Sequence, residues 1–307
     1  MTEKELQKIA NTLVLYSYHI EENGLLKGKS GIALYLYRYA QIYNCEYYEN
    51  FAGELLDKIF KSVIFVTQDF ENGLAGIGWM VNYLLKKNYV EGEPNDVLQD
   101  VDKRIFKNLK HGSNTSIFGQ GIYLIERLKD NQTNPDLEKH IVNCIDFCKK
   151  EIKKNNDSGS LYYINSILFF LLKIENYKNK EKKINSIRHS LPNMIKKALD
   201  SKMFDDADLY IFNRMLDEFE LGSLSKWKSI YLFKQQLKSQ KNLSIKSLIK
   251  ISWQEELYFG SSKLTRIPLE QISGFINQKH ESLLIDDFLF PNGLVGLGNM
   301  ILSTYEE

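Results

Sequence analysis

The sequence predicts an all-α fold in which helical hairpins follow one another around a closed ring. Apolar residues recur at helical spacing through most of the 307 residues, which is typical of amphipathic and buried helices. Glycine motifs repeat along the chain at intervals of roughly 45 residues, as expected when one supersecondary unit is repeated. We therefore predict an α/α toroid, or barrel, of about seven helical hairpins. Its inner and outer helix layers form a single domain over residues 1–307.

The outer layer is predicted from segments that are apolar on one face only. Phe51, Leu55, Ile59 and Val63 recur every four residues, and the residues between them are largely polar. Two further segments share this spacing: Val97, Val101, Ile105 and Leu109, and Leu137, Ile141, Ile145, Cys148 and Ile152. Such a stripe packs against a core while the opposite face meets water.

The inner layer is predicted from segments that are apolar nearly all round. They are residues 32–43, 78–85, 122–128 and 161–172. A helix of this kind has to be covered on several sides. Because these segments alternate with the one-faced ones, the order of the chain predicts two concentric layers.

Glycines mark the beginning of several predicted inner helices. Asn23-Gly24-Leu25, Asn72-Gly73-Leu74 and Asn292-Gly293-Leu294 each precede further glycines. Equal steps along the chain predict two more repeats near residues 205 and 250, where segments 204–216 and 247–259 lie. We expect the glycines to provide positive φ and close backbone approach at tight turns. We also expect free N–H groups at these helix starts to point to one common rim.

Composition excludes several classes of protein. Lys and Arg number 40 and Asp and Glu 39, for a net charge of +1, whereas nucleic-acid binders carry a basic surplus. Three cysteines do not make a disulfide framework, and the first residues do not read as a signal peptide. The longest apolar stretch, 167–172, is too short to cross a bilayer. We expect a cytoplasmic protein with neither nucleic acid nor membrane as a partner.

Four segments resemble the lanthionine synthetase C family. They are 23–40, 69–85, 117–128 and 291–302, which include the glycine motifs. The resemblance implies a toroid of inner and outer helices. It also implies a role in the maturation of a ribosomally synthesised peptide, with the peptide and its other modifying enzymes as partners.

The zinc ligands of the family's enzymes are the point at which this sequence departs from the resemblance. Those enzymes hold zinc through two cysteines and a histidine in the later inner-helix loops, and the zinc activates a substrate thiol for thioether formation. Here no cysteine follows Cys148, and His280 lies alone on a predicted outer helix. Cys144 and Cys148 continue an apolar stripe, which favours buried, inert thiols. We therefore predict no metal site and no cofactor.

The candidate substrate-binding residues are those expected at the rim. They are Gly28, Gly31, Asp69, Glu71, Asn72, Gly73, Asp205, Asp206, Asp286, Asp287, Asn292 and Gly293. Aspartates such as Asp205 and Asp206 also favour a helix N-terminus as caps. His111, in a His-Gly pair that echoes the family's acid/base element, is the one candidate catalytic residue.

Three functions are compatible with these features. The first is a peptide-binding accessory protein that works without zinc-dependent cyclisation. The second is an active enzyme, a peptide cyclase or a glycoside hydrolase-like protein, that uses His111 or paired rim carboxylates. The third is a non-catalytic scaffold for partner enzymes, for which a large exposed apolar patch would be the mark.

Overall fold

In the computed structural model of the chain, most of the described residues lie in helices. The described residues are 3–62, 66–108, 116–130, 135–153, 160–175, 181–201, 204–221, 243–261, 269–281, 284–291 and 293–305. Within these ranges helices are the only regular secondary structure. The prediction of an all-α protein is thereby confirmed, and the closure of the hairpins into a ring stays a prediction.

The chain packs as two compact units, residues 1–108 with 248–307 and residues 109–247. The helices of the first unit are α1 (Glu3–Ser17), α2 (Lys29–Tyr43), α3 (Glu46–Ser62), α4 (Leu74–Lys86), α5 (Pro94–Val97), α6 (Gln99–Asn108), α13 (Ile245–Phe259, which begins just before the unit), α14 (Leu269–His280) and α15 (Leu294–Leu302). Short 3₁₀ turns lie at Ile285–Asp287 and Ser303–Tyr305.

Helix α2 lies at the centre of the first unit. It packs against α1, α3, α4 and α15, so that helices from both ends of the chain cover it. Eleven of its fifteen residues are buried, which agrees with the prediction that segment 32–43 is covered on several sides. Its C-cap is Asn44, which takes the left-handed conformation that asparagine tolerates better than most residues.

The one-faced segments behave differently in α3 and in the α5–α6 region. In α3 the buried face includes Phe51, Leu55 and Ile59, as predicted. The stripe from Val97 onward is interrupted, because α5 ends at Val97 and α6 begins at Gln99. Leu98 is therefore fully buried and Val97 is 39% exposed. The sequence spacing assigned Val97 to the apolar face because it assumed one continuous helix.

The second unit contains α7 (Ser116–Asp130), α8 (Pro135–Lys153), α9 (Leu161–Lys173), α10 (Glu181–Arg188), α11 (Leu191–Asp200) and α12 (Asp206–Glu218). Helix α9 packs against α7, α10, α11 and α12, and α8 packs against α7 and α10. The α9 residues from Ile164 to Leu172 are all buried, as predicted for this segment. In the described residues, no helix has the length and apolar character that crossing a membrane requires.

Candidate functional site

Three loops of the first unit precede helices α2, α4 and α15, and they contain most of the predicted rim residues. We call them loop A (20–28), loop B (66–73) and loop C (284–291 with Gly293). A glycine caps each helix, namely Gly28, Gly73 and Gly293. By this criterion Gly28, and not Gly24, is the counterpart of Gly73. The repeated Asn-Gly-Leu motif therefore misplaces the register of loop A.

The cap glycines do not use left-handed backbone. Their φ angles are −159° at Gly28, −119° at Gly73 and −103° at Gly293, all in the extended region. The prediction of positive φ at these turns is therefore wrong. The prediction of close backbone approach is correct, since a Cβ on Gly73 would lie 2.5 Å from the Thr67 carbonyl oxygen.

Backbone amides at the three helix starts are occupied by their own loops. Lys29 N donates to Glu22 O at 3.0 Å, Leu74 N to Thr67 O at 2.8 Å, and Val295 N to Phe288 O at 3.0 Å. Each loop folds back over the helix that it starts, because only glycine at the cap leaves room for its carbonyls. These amides are therefore not the free donors that the sequence analysis expected at the rim.

Loops A and B contact each other, and loop C lies against the first turn of α2, the helix that loop A precedes. Leu26 N in loop A donates to the Glu71 carbonyl in loop B at 2.8 Å, and Gly24 lies directly against the Asn72 backbone. A Cβ on Gly31, in the first turn of α2, would lie 2.8 Å from the Phe290 ring of loop C. Segments that are far apart in sequence thus form one continuous surface.

Four aromatic side chains connect loops B and C beneath that surface. Phe70 lies 6.1 Å from Trp79, Trp79 lies 5.4 Å from Trp253, and Trp253 lies 4.6 Å from Phe290, measured between ring centroids. All four are buried. This aromatic packing holds α4, α13 and the loops together, with edge-to-face geometry at two of the three contacts.

Two of the predicted rim carboxylates have structural partners. Asp69 accepts hydrogen bonds from Thr67 Oγ1 at 2.5 Å and from Asn72 N at 2.6 Å, so both of its oxygens stabilise loop B. Asp287 forms an ion pair with Lys279 of α14. Glu71 is partly exposed and Asp286 is exposed. His111 and Asn292 lie outside the described residues.

Asp205 and Asp206 belong to the second unit. Asp205 caps α12, since its carboxylate accepts a hydrogen bond from Asp208 N at 2.8 Å and its own amide faces the Asp208 carboxylate at 3.4 Å. Asp206 is exposed in the first turn. This geometry is a capping box, which stabilises a helix start without any ligand.

A buried polar cluster in the first unit was missed at the sequence level. Arg38 of α2 is 1% exposed, and its Nη1 lies 3.1 Å from Glu256 Oε1 and 3.1 Å from Asn299 Oδ1. The guanidinium carbon also lies 5.8 Å from the centre of the Tyr83 ring. The sequence does contain a signal for this cluster, namely a charged residue inside the apolar segment 32–43, because a buried charge needs a partner.

Cys144 and Cys148 do not fit a zinc site. Cys144 and Cys148 are buried on α8 in the same stripe as Ile141 and Ile145. Burial, and secondarily the nearby Cys148, raises the pKa of Cys144 well above its ordinary value, which opposes the thiolate that zinc requires. Over the ranges described, no group of three His, Cys, Asp or Glu residues is placed to hold a metal ion.

His140 lies one turn before Cys144 on α8 and is 1% exposed. Burial lowers its pKa from 6.5 to about 3. Below pH 6.5 His140 therefore binds a proton in the unfolded chain but not in the folded chain. The free energy of unfolding decreases for this reason as the pH falls from 6.5 toward 3.

We expect His140 to lower the free energy of unfolding by about 2 kcal/mol when the pH is decreased from 7.5 to 5. Urea unfolding at both pH values should show a smaller loss in His140→Leu than in the parent chain. The exposed His189 of the same unit provides the control, and His189→Gln should keep the parent's pH dependence. An equal pH dependence in the parent and His140→Leu would contradict the expectation.

Comparison with known proteins identifies no family for this chain. No protein-family model, no curated protein sequence and no solved structure matches the chain. The lanthionine synthetase C resemblance therefore rests on the motifs and the helical repeat alone.

Proposed function

We propose that this protein is a lanthionine synthetase C-like accessory component in the maturation of a ribosomally synthesised peptide. In this proposal it holds the peptide at the surface formed by loops A, B and C. It does so without zinc-dependent cyclisation.

The observation that carries the proposal is that loop A contacts loop B and that loop C packs against the helix start that follows loop A. The hydrogen bond from Leu26 N to Glu71 O, and the packing of Gly31 against Phe290, join the motifs on which the family resemblance rests. A surface assembled from three helix starts, each hydrogen-bonded to its own loop, is a suitable place for a peptide, because pre-organised binding surfaces lower the entropy lost on binding.

The chemistry of the exposed groups supports a peptide that carries basic residues. Glu21 and Glu22 of loop A and Asp286 of loop C are exposed, beside one exposed lysine, Lys27. Exposed carboxylates of this kind attract cationic segments and increase the association rate more than the affinity.

The enzymatic alternative receives less support from the contacts. A glycoside hydrolase-like pair requires one carboxylate free to donate a proton and another free to act as base or nucleophile. Asp69 is engaged by Thr67 and Asn72, and Asp287 is paired with Lys279. Catalysis through His111, and a scaffold role, stay alternatives to the proposal.

Binding of a candidate precursor peptide tests the proposal. A short peptide encoded beside this gene, labelled with a fluorophore, should bind the purified chain and increase its anisotropy. In the triple variant Glu21→Gln, Glu22→Gln, Asp286→Asn we expect roughly tenfold weaker binding at low salt, because three exposed charges are removed.

The control for this experiment removes carboxylates elsewhere. Asp100 is exposed on α6 and Glu54 is exposed on α3, so Asp100→Asn with Glu54→Gln should leave the affinity within about twofold. Equal affinity in the triple variant would contradict the proposed surface. One tightly bound zinc per purified chain, measured by elemental analysis, would contradict the zinc-free part.

A further inference from the structure

Five tyrosines lie together at the C-terminal end of α2, and we call them the tyrosine platform. They are Tyr39, Tyr43, Tyr47, Tyr48 and Tyr305. The ring centroids are 4.8 Å apart for Tyr39 and Tyr43, 5.1 Å for Tyr39 and Tyr48, 5.1 Å for Tyr47 and Tyr48, and 6.5 Å for Tyr43 and Tyr305. The platform therefore joins α2, the start of α3 and the final 3₁₀ turn.

The platform has a buried base and an exposed surface. Tyr39 and Tyr48 are 2% and 4% exposed, whereas Tyr47 is 61% and Tyr305 47% exposed. Tyr47 and Tyr305 are among the few large apolar side chains in the described ranges that are exposed to this degree. Buried rings hold the exposed ones in place, so their faces are presented to solvent at little further entropic cost.

Besides burial and the neighbouring side chains, the carboxylate of Glu3 acts on two of these phenols. Burial raises the pKa of Tyr43 to about 12, and Tyr305 and the Glu3 carboxylate add to the rise. Burial, the neighbouring phenol of Tyr48 and then Glu3 raise the pKa of Tyr39. Glu46 is exposed beside Tyr47. The platform therefore combines aromatic faces, which attract cations through their quadrupoles, with a local negative field.

We propose that the tyrosine platform is a docking surface for a cationic segment of a partner polypeptide, one that places Arg or Lys side chains over Tyr47 and Tyr305. Arginine fits best, because its planar guanidinium stacks on aromatic rings and is weakly hydrated. Glu3 and Glu46 complement the charge of such a segment. The same pairing of a cation with a tyrosine ring already occurs within the chain, where Lys58 lies 5.6 Å from the centre of the Tyr18 ring.

This surface is separate from the one proposed above. Loop A precedes the N-terminal end of α2, loop B contacts loop A, and loop C contacts the first turn of α2, whereas the platform lies at the C-terminal end of α2. The helix has 15 residues, so the two surfaces are about 20 Å apart along its axis. The inference therefore stands whether or not the loops bind a peptide.

Calorimetric titration with N-acetylated hexa-arginine amide at low salt tests the platform. We expect binding to the parent chain, and at least about fivefold weaker binding to Tyr47→Ala with Tyr305→Ala, because two cation–π contacts are lost. Tyr47→Phe with Tyr305→Phe keeps both ring faces and should bind within about twofold of the parent. Both positions are exposed, so these variants should fold, as circular dichroism would show.

Three controls test whether binding requires the cationic charge and whether it takes place at the platform. The hexapeptide with citrulline in place of arginine has nearly the same shape without the charge and should not bind. Tyr18→Ala, at an exposed tyrosine outside the platform, should leave hexa-arginine affinity unchanged. In the background of the triple variant of loops A and C, Tyr47→Ala with Tyr305→Ala should still weaken hexa-arginine binding at least about fivefold, which distinguishes this inference from the proposed function.

Three outcomes would overturn the inference. They are equal binding of the citrulline peptide, unchanged affinity in the double alanine variant, and equal weakening by Tyr18→Ala. A fourth would be a concentration-dependent dimer of the parent chain that the double alanine variant abolishes in sedimentation, because the platform would then be a contact between copies of this chain.

Discussion

Replacing Arg38 with methionine should destabilise the protein by about 3–5 kcal/mol. Arg38 is 1% exposed and lies 3.1 Å from Glu256 Oε1 and 3.1 Å from Asn299 Oδ1, while the Glu256 side chain is 11% exposed. Arg38→Met leaves the Glu256 carboxylate largely buried without its cation. Urea unfolding followed by circular dichroism measures the loss.

The double variant Arg38→Met with Glu256→Leu should recover most of that stability. Replacing both members of a buried ion pair with apolar residues removes the uncompensated charge, and such replacements are often neutral or stabilising. A residual cost of about 1 kcal/mol is expected, because Asn299 Oδ1 loses its Arg38 donor. Lys103→Ala removes an exposed ion pair with Asp100 and should cost less than about 1 kcal/mol.

A double variant as unstable as Arg38→Met would show that the cost comes from packing and not from the orphaned carboxylate. A single variant no less stable than Lys103→Ala would show that the pair is already solvated. Either result would contradict the view that Arg38 joins α2 to α13 and α15 through a desolvated charge.

Replacing Gly76 with alanine should destabilise the protein by about 3 kcal/mol, at the upper end of the usual cost of overpacking. A Cβ at this position in the first turn of α4 would lie within 3.0 Å of both the Phe70 carbonyl and the Leu25 side chain. The carbonyl belongs to the backbone of loop B and cannot move without disturbing the hydrogen bond from Leu74 N to Thr67 O.

Gly274→Ala is the matched control, because it also replaces a helical glycine with alanine but is expected to change the stability in the opposite direction. Gly274 lies inside α14, and a Cβ there would meet no atom within 4 Å. Alanine has the higher helix propensity, so this variant should be more stable than the parent by roughly 0.5–1 kcal/mol. Thermal unfolding of both variants distinguishes steric exclusion from propensity. Stabilisation by Gly76→Ala would contradict the close approach of loop B.

The helices and their buried faces were predicted from local patterns. The stripe in α3 and the all-round burial of α2 and α9 follow from side-chain periodicity, which depends only on the geometry of the α-helix. Val97 is the exception in this group. Its spacing fitted the apolar stripe, but the helix is interrupted at Leu98. Periodicity cannot reveal such a break when the apolar residues on either side of it keep nearly helical spacing.

The loops were predicted less well, because their glycines serve tertiary contacts. The motif Asn-Gly-Leu suggested equivalence of Gly24 with Gly73, whereas the structure pairs Gly28 with Gly73 as helix caps. Glycine in a turn commonly indicates a positive φ angle, which is a local property of the backbone. Here glycine is needed for a tertiary reason, because a side chain on Gly24 would collide with the Asn72 backbone of loop B.

The sequence alone determined that the chain is helical, which helices are fully buried and which have one apolar face, since these depend on spacing along the chain. The tertiary structure decided that Arg38 meets Glu256 across 218 residues of sequence, that loop A contacts loop B while loop C packs on the first turn of α2, and that five tyrosines gather at one end of α2. These outcomes depend on which helices become neighbours. That is set by the packing of the whole chain, and no local pattern encodes it.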